Sequence, residues 1–349
     1  MINKILFITL SNIGDCVLSL PALDFLCNNF PQALITVISG ERAKEIFEGD
    51  PRINKFIVYN KRKKFREKIK LFLELRKEKF DLIADLRNSF LGVALAAKYI
   101  ISCFLRIPKH IKHMKDRHLY KIQSLLRIKN PLFSRGSLYP SPAREERIKL
   151  MLKDHNINED DELIVISAGA RSHTKRWPKE KFAELITRLM EKSPARIILV
   201  GDAQDALVNQ YIAEHVPGEI LDLSAKTTLL ELALLLKRAS LFIGNDSATT
   251  HIASYLNIPV VAIFGISDDR KYGPWSDNCL VVKKEISCRP CVKAQCRFGT
   301  LECISSIKVE DVFRAAMDML RALPVRQAGK SQDDFKRILI VRTDRIGDV

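Results

Sequence analysis

The sequence has 349 residues, 47% of them hydrophobic, which is enough for two packed domains and excludes a low-complexity or disordered chain. Its net charge of +16 is one-sided: residues 1–150 carry 29 Lys and Arg against 14 Asp and Glu, the remainder 28 against 27. Such asymmetry aims the first half at an anionic partner, be it nucleic acid, a membrane surface or an acidic substrate; the alternative is a solvated helix face. The apolar run Ile5–Leu10 is broken by Ser11, Asn12, Gly14 and Asp15 before it reaches signal-peptide length. Leu91–Leu105 is interrupted by Lys98 and is shorter than the ~20 residues a span requires. The expectation is a cytoplasmic protein.

In chain order, Ile5–Thr9 reads as a strand, Leu10–Asp15 as a loop, and the next stretch as a helix to about Asn28. Leu34–Ser39 is a second strand, followed by a helix near Glu41–Glu48 and a short strand at Phe56–Val58. The segment Lys64–Glu78 has apolar residues at Phe65, Ile69, Phe72, Leu73 and Leu75, which is close to helical spacing, and Asp81–Asp85 returns as a strand. Most of the basic excess lies in Lys61–Lys79 and Lys98–Lys129. Prolines 131, 140 and 142, a helix over Arg144–Lys153 and the acidic Asn158–Glu162 mark an interdomain connection.

A second alternating set follows. Strands are expected at Leu163–Ser167, Arg196–Val200, Ile220–Asp222, Leu241–Ile243 and Val260–Phe264. Helices are expected at Pro178–Glu191, Gln204–Glu214, Leu229–Arg238 and Asp311–Ala322. Two such sets predict an α/β protein of two doubly wound domains, residues 1–157 and 158–322, with ligands at the carboxyl ends of the strands in a cleft between them. Asp15, Arg171 and Asp246 all follow strands and can line that cleft.

Residues 323–349 read as a linker and a partial repeat. Aligned on Ile5–Cys16, Ile338–Val349 is identical at Ile338, Leu339, Ile346, Gly347 and Asp348. The expectation is the start of a second copy, disordered or loosely docked without its sheet.

Candidate chemistry sits at the strand ends. The stretch Leu241–Gly265 is a buried strand, a polar turn, a short helix opening on Ser247, Thr249 and Thr250, and another buried strand. With Asp246 or Ser247 as N-cap, its first-turn amides point outward and suit a phosphate, and His251 can reach the same anion. An ordinary capped αβ turn would read the same way. Ser167–Trp177 combines small residues Ala168, Gly169 and Ala170 with the cations Arg171, Lys175 and Arg176. It is not a Walker loop, and no G-x-G-x-x-G follows a strand, so a dinucleotide redox site has no support. Gly201-Asp202 is a third strand-end loop. Asp15, in a loop entering a helix, is either a general base toward a hydroxyl or an N-cap. Cys288, Cys291, Cys296 and Cys303 form a cluster open to a structural zinc, although the second pair is not a tight zinc spacing; no catalytic metal is expected, since no His or carboxylate is interleaved. Phe65, Phe72 and Tyr120 fall at core spacing, leaving few aromatics for stacking bases, so nucleic acid is not an expected partner.

Taken together, N-I-G-D-C-V-L-S-L-P-A-L (12–23), A-G-A-R…K-R-W-P (168–178), G-N-D-S-A-T-T-H (244–251) and F-G-I-S-D (264–268) resemble the heptosyltransferase family, over roughly residues 3–322. Members are inverting sugar transferases of the lipopolysaccharide inner core, and many carry a cysteine cluster like the one here. The resemblance implies a GT-B fold, with the acceptor on the first domain and the nucleotide-sugar on the second. It implies Asp15 as the base and Lys175 as the charge that neutralises the departing diphosphate. Asp246, Ser247, Ala248 and His251 would form the donor-phosphate loop, with Thr249, Gly169, Ala170, Arg171, Arg176 and Gly201 around the donor. No metal and no cofactor are implied. The expected partners are ADP-heptose, an acidic lipid-linked saccharide and, through the basic half, an anionic membrane surface. Ala248 stands where glycine is common, and Ile266 and Ser167 where proline is common; these departures bear on donor identity, not on the proposed charges. The same fold transferring another activated sugar, or a non-catalytic anion-binding protein, are the alternatives.

Overall fold

The computed structural model describes residues 2–322 apart from 61, 63, 90, 102–104, 129–130, 134–135 and 292–294. The expected partial repeat at 323–349 lies outside the described residues.

The first sheet contains β1 (Lys4–Ile8), β2 (Leu34–Ser39), β3 (Lys55–Val58), β4 (Leu82–Asp85) and β5 (Tyr99–Ile100), all parallel, in the order β3-β2-β1-β4-β5. The second contains β6 (Leu163–Ser167), β7 (Arg196–Leu199), β8 (Leu221–Asp222), β9 (Leu241–Asn245), β10 (Val260–Phe264) and β11 (Cys279–Lys283). Its order is β11-β10-β9-β6-β7-β8, also parallel. The central strands are apolar on both faces because helices cover both. Ile5, Leu6 and Phe7 of β1, and Leu163 to Ile166 of β6, are fully buried.

This order fixes where ligands can go. The chain winds from β1 to β3 on one side and resumes at β4 on the other; in the second sheet the reversal falls between β6 and β9. At such a reversal the connections diverge and leave a crevice at the carboxyl ends of the strands. Thr9–Asn12, Ser167–Arg176 and Asn245–Ser247 are the segments at those ends.

The two halves share a core, since one apolar cluster runs from Ile5, Val17 and Phe25 to Phe242, Ala253 and Tyr255. Its seam is the packing of the Ile13–Asn29 helix on the Ala248–Tyr255 helix. Near the far end of both, the buried Tyr255 hydroxyl donates to Asp24 Oδ2 at 2.8 Å and Oδ1 at 3.0 Å. Arg52 Nη1 donates to the same Asp24 Oδ1 at 2.8 Å and reaches Asp50 through Nε and Nη2. Burial still pushes the Asp24 carboxyl up to about 6, against the pull of Arg52 and Tyr255.

Two parts of the first half differ from the sequence expectation. The basic run after Lys98 contains a helix, Met114–Leu126, that packs on the Ile13–Asn29 helix. The Phe65–Lys77 helix exists, but Phe65 is 77% exposed and Ile69 and Leu73 are also exposed, so their spacing does not mark the core. Leu75, buried, and Leu71, packed against the same cluster, form the inner face instead. Apolar residues on two faces of one helix give a mixed periodicity that cannot name the buried one.

Candidate active site

The site is where two helix starts meet. Gly14 is the second residue of the Ile13–Asn29 helix, and a Cβ there would lie 2.9 Å from His251 Cδ2 and 3.7 Å from Ala248 Cα. A side chain at 14 would therefore push the two helix starts apart. Asn12, not Asp15, occupies the N-cap, so the cap alternative for Asp15 does not hold. Asp15 sits one turn in, where acidic residues are favoured by the helix dipole. Asn12 Nδ2 donates to Asp15 Oδ2 at 3.0 Å, and Arg171 Nη1 donates to Asn12 Oδ1 at 3.0 Å. Arg171 comes from the loop after β6, so this chain of hydrogen bonds ties the second half to Asp15.

Across from it, Ser247 is the N-cap of the Ala248–Tyr255 helix, and its side chain makes no capping hydrogen bond. Its Oγ and the Nδ1 of His251 are buried polar atoms without a hydrogen-bond partner among the described residues. Thr250 does not join them: its hydroxyl turns inward to the Asn245 carbonyl at 2.5 Å. Lys175 Nζ lies 2.6 Å from Asp246 Oδ2, so the loops after β6 and β9 meet as an ion pair whose acid is buried and whose cation is partly exposed. The other predicted cation is engaged differently. Arg176 Nε donates to the Ala170 carbonyl at 2.6 Å, and Nη2 lies 3.9 Å from Asp205 Oδ1. Gly169 and Gly201 face the same Asp205; a Cβ on Gly169 would overlap its carboxylate, and one on Gly201 would lie 2.7 Å from its Cβ. These glycines allow strand-end loops to approach one another. Thr249 lies on the first turn of the Ala248–Tyr255 helix, partly exposed.

Several residues here were not singled out by sequence. Asn245, fully buried, donates to the Ala168 carbonyl at 2.7 Å and accepts from Trp177 N at 3.1 Å, which fixes the Lys175 loop to β9. Tyr272 is close to both halves: burial, then the Asp15 and Asp246 charges, holds its phenol above the usual range. Trp275 stacks on His251 at 5.8 Å and meets His113 edge-on at 5.5 Å. His113 Nε2 lies 3.0 Å from the Gly273 carbonyl, another bridge between halves. Asn245 does fall within the 244–251 motif, but its role as a clamp between the two loops has no sequence signal beyond a polar residue ending an apolar strand.

The imidazole of His251 is neutral at pH 7. Burial pushes it down to about 4, more than Asp246 pulls it up. The unfolded chain takes up this proton near 6.5 and the folded chain not until about 4. Stability from this group is thus complete above 6.5 and is lost as pH falls toward 4, by about 3 kcal/mol. Denaturant melts between pH 7 and 4 are expected to show a slope shallower by about one proton in His251→Gln than in the wild type. An unchanged slope would mean that His251 takes up its proton in the fold at the same pH as in the unfolded chain.

Among the described residues, no three His, Cys, Asp or Glu side chains converge to hold a metal ion; Cys288, Cys291, Cys296 and Cys303 are free thiols. No described helix is long and apolar enough to cross a membrane.

Comparison with known proteins places the chain in a family and a fold. A family model described as glycosyltransferase family 9 (heptosyltransferase) matches residues 68–302. Lipopolysaccharide heptosyltransferase 3 of Escherichia coli is 29% identical over 292 residues, 76% of this chain and 85% of that protein. Lipooligosaccharide heptosyltransferase 2 of Campylobacter jejuni is 24% identical over 324 residues, 88% of this chain and 96% of that protein. Among solved structures, a family 9 glycosyl transferase from Veillonella parvula superposes with a TM-score of 0.77 at 24% identity, covering 91% of this chain and 97% of that one. The E. coli ADP-heptose lipopolysaccharide heptosyltransferase II gives 0.73 at 22% identity, covering 91% and 98%. These likenesses show the GT-B fold expected from the sequence.

Proposed function

The chain belongs to glycosyltransferase family 9, the heptosyltransferases, and from that premise we propose that it moves a heptose from ADP-heptose to a lipopolysaccharide inner-core acceptor with inversion. The observation that carries the reading is the opposition of Asp15 to Lys175, Asp246, Ser247 and His251 across the meeting of two helix starts. The first half, residues 1–157, takes the acceptor, and the second, 158–322, takes the donor. The excess of positive charge in the first half suits an acidic, lipid-linked acceptor and an anionic membrane surface.

In this reading Asp15 removes the proton of the acceptor hydroxyl as its oxygen attacks the anomeric carbon. The bond from that carbon to the diphosphate breaks on the opposite face, and its electron pair leaves with ADP. Charge gathers on the departing diphosphate, where the amides opening the Ala248–Tyr255 helix, the Ser247 hydroxyl and the Lys175 ammonium offer donors and positive potential. Asn12 and Arg171 hold Asp15 in place against the donor half. Gly169, Ala170, Arg171, Arg176, Gly201 and Thr249 complete the loops around the donor.

The test is a donor panel scored by nucleotide release in the presence of a heptose-deficient core acceptor. ADP-heptose is expected to support release, and UDP- or GDP-hexoses far less. Release with a hexose or N-acetylhexosamine donor and none with ADP-heptose would move the assignment to another activated sugar.

A further inference from the structure

The most unusual surface of the first half is the Phe65–Lys77 helix. Phe65, Ile69 and Leu73 are 77%, 42% and 50% exposed, and they recur every fourth residue along one stripe. The inner face is a different one, formed by Leu71 and Leu75. Beside the stripe runs a row of exposed cations, Arg66, Lys70 and Lys77, with Arg76 close to the stripe itself. Within the helix five cations, including Lys68, face two acids, Glu67 and Glu74. A large apolar side chain left in water costs free energy, so three in a row on one helix face call for a cover.

We propose that this helix is the membrane-docking element, lying in the plane of an anionic lipid surface with Phe65, Ile69 and Leu73 in the acyl boundary. Its flanking cations meet the lipid phosphates. Charge complementarity selects this occupant: an apolar stripe rimmed by positive charge fits a bilayer of anionic lipid, where burial and electrostatic attraction add. Nucleic acid would use the cations and leave the stripe wet, and a second copy would bring the same positive charge against itself.

The position of the helix gives the surface a purpose. The helix follows β3 and therefore starts at the carboxyl edge of the first sheet, the edge that carries Thr9–Asn12 and the approach to Asp15. Docked there, the helix would bring a lipid-linked acceptor to the mouth of the cleft from the membrane side. In this respect the inference rests on the transferase reading, but binding itself does not depend on transfer.

The full-length protein can be tested by co-sedimentation with vesicles of phosphatidylcholine, alone or mixed with phosphatidylglycerol, at low and high salt. Binding is expected only to the anionic vesicles and to weaken with salt. Phe65→Ser/Ile69→Ser/Leu73→Ser and, separately, Arg66→Gln/Lys70→Gln/Lys77→Gln are each expected to lower partitioning by about tenfold or more. All of these side chains are exposed, and circular dichroism checks that the helix survives. Phe65→Trp is expected to shift its emission to the blue on anionic vesicles. Wild-type partitioning by the serine variant would overturn the proposal. So would equal competition by an oligonucleotide with no emission shift, or a dimer that the serine variant dissolves. Nucleotide release with a delipidated acceptor, unchanged in both variants, shows that a failure here leaves the transferase reading standing.

Discussion

Asp15→Asn is expected to lower turnover by about 10²–10⁴-fold while leaving donor affinity within about twofold. The substitution keeps the shape and the partner. Asn12 Nδ2 donates to Asp15 Oδ2 in the native protein, and an asparagine carbonyl turned toward it can accept the same bond. What is lost is the capacity to take a proton. An attacking hydroxyl must shed its proton as the new glycosidic bond forms, and among the described residues the other carboxylates near this helix are engaged. Asp246 is already paired with Lys175, and Asp24 is held by Tyr255 and Arg52 more than two turns further along the helix. Single-turnover nucleotide release measures the chemical step, and calorimetry with ADP measures donor binding. Turnover within tenfold of wild type would remove Asp15 from the role of base. A matching loss of ADP affinity would instead place it in the donor site.

Much of this arrangement is legible in the sequence alone. Strand segments such as Leu163–Ile166 and Val260–Phe264 are unbroken apolar runs because helices cover both faces of a parallel sheet, and such runs stand out from any neighbouring loop. The strand-end motifs were legible because a crevice needs small residues and charges where strands stop. The unread parts have equally physical causes. Two-residue strands such as Tyr99–Ile100 carry no period. The Met114–Leu126 helix was hidden beneath its charges: its buried residues include His118 and Lys121, which hydropathy counts as surface. The pairing of Asp24 with Tyr255 joins residues 231 apart, and neither has a local signature. It matters because it pins, deep along their length, the two helices whose starts carry Asp15 and Ser247. The exposed stripe on Phe65–Lys77 shows the opposite case, a pattern visible in sequence whose destination only the fold decides.

Lys175 can be separated from the acid it touches. Lys175→Met is expected to lower turnover by about 10²–10³-fold, the usual range for removing a fixed positive or hydrogen-bonding group from a developing anion. It also leaves Asp246, which is buried, without its ion-pair partner. That costs about 1–3 kcal/mol of stability, at the low end of what a broken buried pair costs because Lys175 itself is partly exposed to water. The two losses have different cures. Adding Asp246→Asn to Lys175→Met removes the unpaired charge, so urea melts of the double variant are expected to recover most of the lost stability. Turnover is not expected to return, because the ammonium proposed to meet the diphosphate is still missing. If the double variant recovers both, Lys175 serves to neutralise Asp246 and the departing charge is met by the helix start alone. If it recovers stability only, the ion pair of the resting protein is the holding position of a cation whose work is done on the donor.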